Sequence, residues 1–377
     1  MDQNLQYSDE LGPFKVIHLY EPSVDLKAVL VVDNVALGPS VGGIRMAVDV
    51  TTEECMRLAR AMTYKNAAAG LPHGGGKAVI LANPKMPKTD KETLIRAFAN
   101  GLRNEDSYIF APDMGVDEEC MAWIRDEVGR VVGLPRELGG IPLDELGATG
   151  WGLAQVVDLV AVECGFNVQG AQYVVQGFGA VGKHVSRFLA DKGAVLIGVA
   201  DSHGAICDEN GLDVSALIAL KNDGKSVVDL PDAKKISNED LVKLECDIWI
   251  PAARPDVIHE GNVQDLNTKV MLQGANIPCT LTAEKYLHEH GVLCIPDFIA
   301  NAGGVICASM EYHGATQKAA FESIAEKVTH NTQQVIQLVN ERDILPRDAA
   351  LVLAKQRLDK AMSYRRYSLF STAPHFL

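Results

Sequence analysis

Tyr173-Val174-Val175-Gln176-Gly177-Phe178-Gly179-Ala180-Val181-Gly182 is a short apolar run that feeds directly into a Gly-x-Gly-x-x-Gly pattern. Val185, Phe188 and Leu189 follow at helical spacing, so the glycines stand between a predicted strand and a predicted helix. In that setting Gly177 makes the tight turn, Gly179 admits a pyrophosphate and Gly182 lets helix and strand pack closely. Ala180 and Val181 open the helix whose N-terminus carries the phosphate, and they join the expected cofactor-binding set. The next apolar run, Val195 to Ala200, ends at Asp201, where a carboxylate can receive the adenosine ribose hydroxyls. Gly177-x4-Gly182-Lys183 also comes close to a nucleoside-triphosphate phosphate loop, but His184 stands where that loop needs a magnesium-binding Ser or Thr. A dinucleotide is the expected ligand. Nucleotide hydrolysis and a purely structural turn are the competing readings.

Further apolar runs alternate with helical segments: Ile248-Trp249-Ile250, Val270-Met271-Leu272 and Val292-Leu293-Cys294-Ile295. That alternation predicts a parallel sheet with helices on both faces. Upstream, strands such as Lys27 to Asp33 mix with helices starting near Thr51 and Thr89. At 377 residues the chain exceeds the usual size of one core, and the turn-rich segment Gly139 to Gly147 is the natural boundary. The reading is α/β with two domains. Residues 1–145, joined by C-terminal helices at about 345–377, form one α/β domain, and residues 146–344 a Rossmann-type, doubly wound dinucleotide-binding domain. Beyond Val305 the chain reads as largely helical to about Arg366.

Hydrophobic content of 47% and charged content of 22% are those of a globular protein. A net charge of −14 argues against nucleic acid and anionic membrane as partners, since both would repel it. Asp2 and Glu10 sit in an N-terminus without an apolar run, so no secretory signal is expected and the cytoplasm is the expected location. Eight cysteines without Cys-x-x-Cys pairs or ligand-spaced histidines read as core thiols, with no metal site.

Met62-Thr63-Tyr64-Lys65 and Gly74-Gly75-Gly76-Lys77 carry two lysines twelve positions apart. Thr51-Thr52-Glu53-Glu54 has the form of a capping box. The apolar stripe Cys55, Leu58, Ala59, Met62 continues to Lys65, so this lysine is expected to point inward, where it needs an anion. Gly70 is the expected helix stop, residues 71–76 a loop, and Lys77 the entrance to a buried strand, Ala78 to Leu81, with the glycines admitting a ligand. The plain alternative is an exposed turn ending in a solvated lysine. Asp113 follows the predicted strand Tyr108 to Pro112 and by itself suits a turn or helix cap as well as chemistry.

Taken together, Gly42-Gly43-Ile44-Arg45, Met62 to Lys65, Gly74 to Lys77, Ala111-Pro112-Asp113, Ala148-Thr149-Gly150, Gly177 to Gly182, Gly274-Ala275-Asn276 and Asn301-Ala302-Gly303-Gly304-Val305 resemble the glutamate/leucine/phenylalanine/valine dehydrogenases in content and order. The resemblance implies reversible oxidative deamination of an L-amino acid. Hydride leaves Cα for the nicotinamide, water adds to the imine, and ammonia departs to give a 2-oxo acid. It implies Lys65 on the α-carboxylate, Lys77 activating the attacking water, and Asp113 exchanging protons with the amino group. Lys77 can act as a neutral base where a second cation and partial desolvation lower its pKa. Thr149, Asn276 and Asn301 match positions near the nicotinamide. The resemblance also implies a homo-oligomer, with residues 1–145 as the substrate-binding and oligomerisation domain and a cleft between the two domains, and Asp201 points to NAD, with NADP left open. A non-catalytic dinucleotide sensor on this fold would need none of Lys65, Lys77 and Asp113.

In the glutamate-specific members a lysine precedes the Gly-Gly-x-Arg motif and a serine follows the Asn-Ala-Gly-Gly-Val motif by three residues. Here these positions are Val41 and Ala308. Burying an unpaired γ-carboxylate costs several kcal/mol. Val41, Gly42, Val305 and Ala308 are therefore expected to line an apolar pocket for a leucine-, valine- or isoleucine-like side chain. Glutamate and an aromatic amino acid are the alternatives.

Overall fold

The computed structural model describes residues 8–364, so Asp2 and the expected helical segment beyond 364 lie outside the described residues. The chain divides into two compact units. One runs to Pro142 and takes up Ala308–Ala319 and the chain from Val352, and the other comprises Leu143–Cys307 and Ala320–Leu351. The sequence reading had placed 308–319 with the second domain.

The first unit contains β1 (Lys15–Glu21), β2 (Leu26–Asn34), β3 (Ser40–Ala47), α1 (Thr52–Ala68), β4 (Gly74–Leu81), α2 (Lys88–Gly101), β5 (Tyr108–Pro112) and α3 (Glu118–Val128). Its sheet has the order β1-β2-β4-β3-β5. β1, β2 and β4 run antiparallel to their neighbours in turn, while β4, β3 and β5 are parallel. Alternate residues of β2 and β4 go to opposite faces. Leu30, Val32, Ala78 and Ile80 join the core with Phe98 and Phe110, while Val31 and Val79 pack with Cys55 and Ala59 of α1. A sheet buried on both faces needs apolar residues at nearly every position, which explains the continuous apolar runs.

α1 begins as expected, with the Thr51 side chain accepting from the Glu54 amide at 3.1 Å. The carboxylate of Glu54 does not complete the box, because it pairs with Arg45. The buried face is Cys55, Met56, Ala59, Thr63, Asn66 and Ala67, about one position away from the apolar stripe. Two polar residues occupy it because each has a partner inside. Thr63 Oγ1 donates to Asp33 Oδ2 at 2.5 Å and Asn66 Nδ2 to the Gly74 carbonyl at 2.7 Å. Lys65 is half-buried beside this face rather than at its centre.

Lys77 is the fourth residue of β4, not the entrance to it. The glycines ahead of it belong to the strand and are required by packing. A Cβ on Gly75 would lie 2.0 Å from the Thr63 amide nitrogen, and one on Gly74 would lie 1.7 Å from the Asn34 carbonyl oxygen. α1 can therefore lie directly on β4. An exposed turn does not describe this run.

The second unit contains α4 (Leu143–Leu146), α5 (Ala148–Glu163), β6 (Gln172–Gln176), α6 (Ala180–Asp191), β7 (Val195–Asp201), β8 (Gly204–Cys207), α7 (Val214–Asn222), β9 (Lys234–Ile236), α8 (Asn238–Val242), β10 (Cys246–Pro251), β11 (Thr268–Leu272), α9 (Leu281–Glu289), β12 (Leu293–Ile295) and α10 (Asp297–Ala300). The division between units falls within each of the last three helices, α11 (Gly303–Tyr312), α12 (Gln317–Arg342) and α13 (Pro346–Ser363). The sheet order is β12-β11-β10-β6-β7-β8-β9. β12 to β7 are parallel, as the alternation predicted, and β8 and β9 add an antiparallel edge that it did not. β6 lies between β10 and β7, so the direction of building reverses beside it. In open α/β sheets the strand ends at such a point take the ligand. All eight cysteines are free thiols and seven are buried.

Candidate active site

The register of the first sheet assembles an ionic group. Ile44 of β3 pairs with Ala78 of β4 on one side and Pro112 of β5 on the other. That places Lys77 and Asp113 around Gly43. The Lys77 ammonium contacts Asp113 Oδ2, and Arg45 Nε donates to the same oxygen at 3.2 Å. Arg45 Nη1 reaches Glu54 Oε1 at 2.6 Å. Gly43 provides the room, since a Cβ there would lie 2.7 Å from Asp113 Cβ and 3.1 Å from Lys77 Nζ. Burial works against the Asp113 charge, but Lys77 and Arg45 outweigh it and hold the carboxyl below its usual pKa. The Lys77 side chain is 8% exposed and that of Asp113 27%. The expected neighbour of Lys77 was a cation, whereas the structure sets an anion between Lys77 and Arg45.

Val41 and Ala308 come together in one apolar cluster with Ile109 and Val132, bordered by Ala111 and Tyr312. Gly42 packs against β4, where a Cβ would lie 1.7 Å from the Gly76 carbonyl oxygen, and its own carbonyl accepts from the Tyr108 hydroxyl at 2.5 Å. Val305 is half-buried in the second unit and is not part of that cluster. In the first unit His73, 1% exposed, meets Ser309 Oγ through Nε2 at 3.0 Å, and its ring stacks on His313 at 5.6 Å. Burial, with a smaller push from His313, lowers its pKa to about 4, so this imidazole is neutral.

In the second unit Gly177 and Gly182 make the turn and the close packing that their positions predict. Gly177 has φ +103°, and a Cβ there would lie 2.5 Å from Ala253 Cβ. A Cβ on Gly182 would lie 1.9 Å from the Gly177 carbonyl oxygen. Gly179 caps α6 without any side-chain hydrogen bond, and nothing lies within 4 Å of where its Cβ would be. Gly179 and Ala180 are exposed, so an uncapped helix N-terminus faces open space, which fits a pyrophosphate. His184 is buried against Gly147, whose Cβ would come within 2.3 Å of its ring. Thr149 is in the first turn of α5, with Oγ1 3.2 Å from the position of a Gly304 Cβ. Asn301 Nδ2 donates to Asn276 Oδ1 at 3.0 Å. Behind them Arg347 grips Glu284 with two 2.7 Å bonds and approaches Asp297 at 3.0 Å. Asp297 in turn accepts from the Ile277 amide at 2.9 Å, next to Asn276.

Asp201 departs from expectation. Oδ1 accepts from the His203 amide at 2.9 Å and Ser226 Oγ at 2.9 Å, and Oδ2 from Lys221 at 2.8 Å and the Val227 amide at 3.0 Å. A carboxylate has about four lone-pair sites, so none remains for the ribose hydroxyls.

Residues 139–366 match the Glutamate/Leucine/Phenylalanine/Valine dehydrogenase family, and residues 5–130 its dimerisation domain. The chain belongs to this family. It is 36% identical over 356 residues to the glutamate dehydrogenase of Aeropyrum pernix, covering 88% of this chain and 85% of that one. It is 34% identical to the NADP-specific glutamate dehydrogenase of Saccharolobus shibatae, with 88% and 83% covered. Its fold matches the hetero-hexameric glutamate dehydrogenase of Thermus thermophilus (Leu bound form) with a TM-score of 0.82 at 29% identity, covering 94% and 90% of the two chains. The chain is thus an NAD(P)-dependent amino-acid dehydrogenase, which leaves the sensor and hydrolase readings without support. The relatives favour glutamate over the branched aliphatic side chains put first from the sequence. Among the described residues no helix is long and apolar enough to cross a membrane.

Arg45, Glu54, His73 and Lys221 had no role of their own in the sequence reading. Arg45 was visible in the Gly-Gly-Ile-Arg motif, but Glu54 read as a cap and nothing in the spacing joins His73 to Ser309 or Lys221 to Asp201.

Proposed function

We propose that the chain catalyses the reversible oxidative deamination of L-glutamate to the 2-oxo acid and ammonia. The Aeropyrum, Saccharolobus and Thermus relatives, glutamate dehydrogenases by name and covered over most of their length, support the substrate. The observation that carries the chemistry is the single oxygen of Asp113 shared by Lys77 and Arg45. The nicotinamide supplies the hydride acceptor when bound. Lys65 takes the α-carboxylate. Lys77 holds the water or carbonyl oxygen at the reacting carbon, and Asp113 passes protons to and from the amino group. Because Lys77 and Asp113 are already in contact, a proton can move between them without a relay. Arg45 fixes the carboxylate from the other side, and Glu54 fixes Arg45. Thr149, Asn276 and Asn301 orient the nicotinamide, while Gly177, Gly179, Ala180, Val181 and Gly182 seat the pyrophosphate.

One observation favours a second reading, a hydrophobic L-amino acid. Val41 and Ala308 pack with Ile109 and Val132 and offer no charge to a γ-carboxylate. Initial rates with glutamate, leucine, valine, isoleucine, phenylalanine and tryptophan, each with NAD and with NADP, separate the two. Glutamate should have the highest kcat/KM, an apolar amino acid in first place would establish the second reading, and no reduction with any of them would sink both. The match to the dimerisation domain and the hetero-hexameric Thermus relative support an oligomer, which a solution mass of a single 40.7 kDa chain would contradict.

A further inference from the structure

Lys221 reaches Asp201 at the end of β7, where the sequence reading expects the adenosine ribose. Asp201 ends β7, and Ser202 and His203 turn the chain back into β8, with Asp201 paired to Gly204. Under this hairpin the Asp201 side chain is only 5% exposed, and four donors from three parts of the chain occupy it. Ser226 is itself fixed, since its amide donates to Asp229 Oδ2 at 2.9 Å and its hydroxyl accepts from the Val228 amide at 3.3 Å. The carboxylate therefore has neither a free acceptor for a ribose hydroxyl nor an unpaired charge to repel a phosphate. Lys221 spends one of its three donors on Asp201, and its side chain remains 23% exposed. His203, 69% exposed, stands on the same hairpin with Nδ1 3.1 Å from Ser202 Oγ.

We infer that Lys221 sets the dinucleotide preference by cancelling the charge of Asp201, so that the site accepts the 2′-phosphate of NADP as well as the bare hydroxyls of NAD. The inference rests on the dinucleotide reading of the second unit. It reverses the expectation that an acidic residue at the end of β7 selects NAD. Lys221 is a specificity-determining residue, and the remaining ammonium donors are the group that meets the phosphate, with the exposed His203 and Ser202 nearby.

Fluorescence titration of the full-length protein with NADH and NADPH tests this without reference to turnover. The wild type should bind the two within about tenfold of each other, since the site charge is balanced. Lys221→Met should weaken NADPH by roughly tenfold or more, the scale of one lost charge-assisted contact plus an uncovered carboxylate, while NADH changes by less than about threefold. Lys221→Arg should keep NADPH binding, and Asp201→Asn combined with Lys221→Met should recover part of it. NADH retention shows that the variant is folded. A wild type that prefers NADH by more than about a hundredfold, or a Lys221→Met variant that binds NADPH as before, overturns the inference while leaving the dinucleotide reading standing. Binding of neither nucleotide by the wild type overturns both.

Discussion

Asp113 follows β5 and Asp201 ends β7, each is held by a lysine, and each has its pKa below the usual carboxylate range. Their surroundings differ. The two cations on Asp113 crowd onto one oxygen, and 27% of its side chain is exposed beside Lys77 and Arg45. Asp201 has both oxygens doubly occupied and only 5% of its side chain exposed. Residue type at a strand end therefore says that a carboxylate is placed there, but not whether it has capacity left for a ligand. Only the first keeps that capacity, so chemistry is expected there and structural support at the second.

Asparagine at each position tests the contrast. Asp113→Asn should lower turnover by about a hundred- to ten-thousand-fold, the range for a lost proton-transfer group, with NADH binding unchanged in fluorescence titration. Comparable turnover losses from Asp113→Asn and Asp201→Asn would break the distinction.

Acid unfolding sharpens it. His73 has a folded pKa of about 4 against 6.5 for a free histidine. The unfolded chain therefore takes up that proton first, and stability should be complete above about pH 6.5 and decline toward pH 4. The full shift corresponds to roughly 3 kcal/mol, and His73→Phe should flatten urea-unfolding free energies in that window. An unchanged slope in the variant would contradict the buried neutral imidazole. For Asp201, burial opposes the charge and Lys221 with the His203 and Val227 amides outweighs it, giving a pKa of about 2 against 3.8. Its stabilisation is present above pH 3.8 and lost as pH falls toward 2. Allowing for solvent screening, Asp201→Asn should cost roughly 1 kcal/mol at pH 7, and no measurable loss would argue against the four-donor arrangement.

What the sequence made legible follows from how each segment is buried. The five parallel strands of the second unit are covered on both faces and stand out as apolar runs. β8 and β9, four and three residues long at the antiparallel edge, carry too few apolar residues to be noticed. Lys77 was placed at a strand entrance because three glycines resemble a loop, although Gly75 is there to let Thr63 of α1 touch the strand. The stripe on α1 came out one position off because Thr63 and Asn66 are buried by hydrogen bonds that hydropathy does not register. Lys77 and Asp113 could be paired only through family motifs, while Ser226 and Val227 reach Asp201 from 25 and 26 residues downstream and carry no signal of their own.

The proposed reacting centre is the Lys77–Asp113 contact. Its most direct test is the rate of nicotinamide reduction by wild type and Lys77→Ala at saturating dinucleotide, with the best amino acid of the substrate panel. At least about a hundredfold loss is expected, with dinucleotide affinity retained. Near-normal turnover in Lys77→Ala would contradict the assignment.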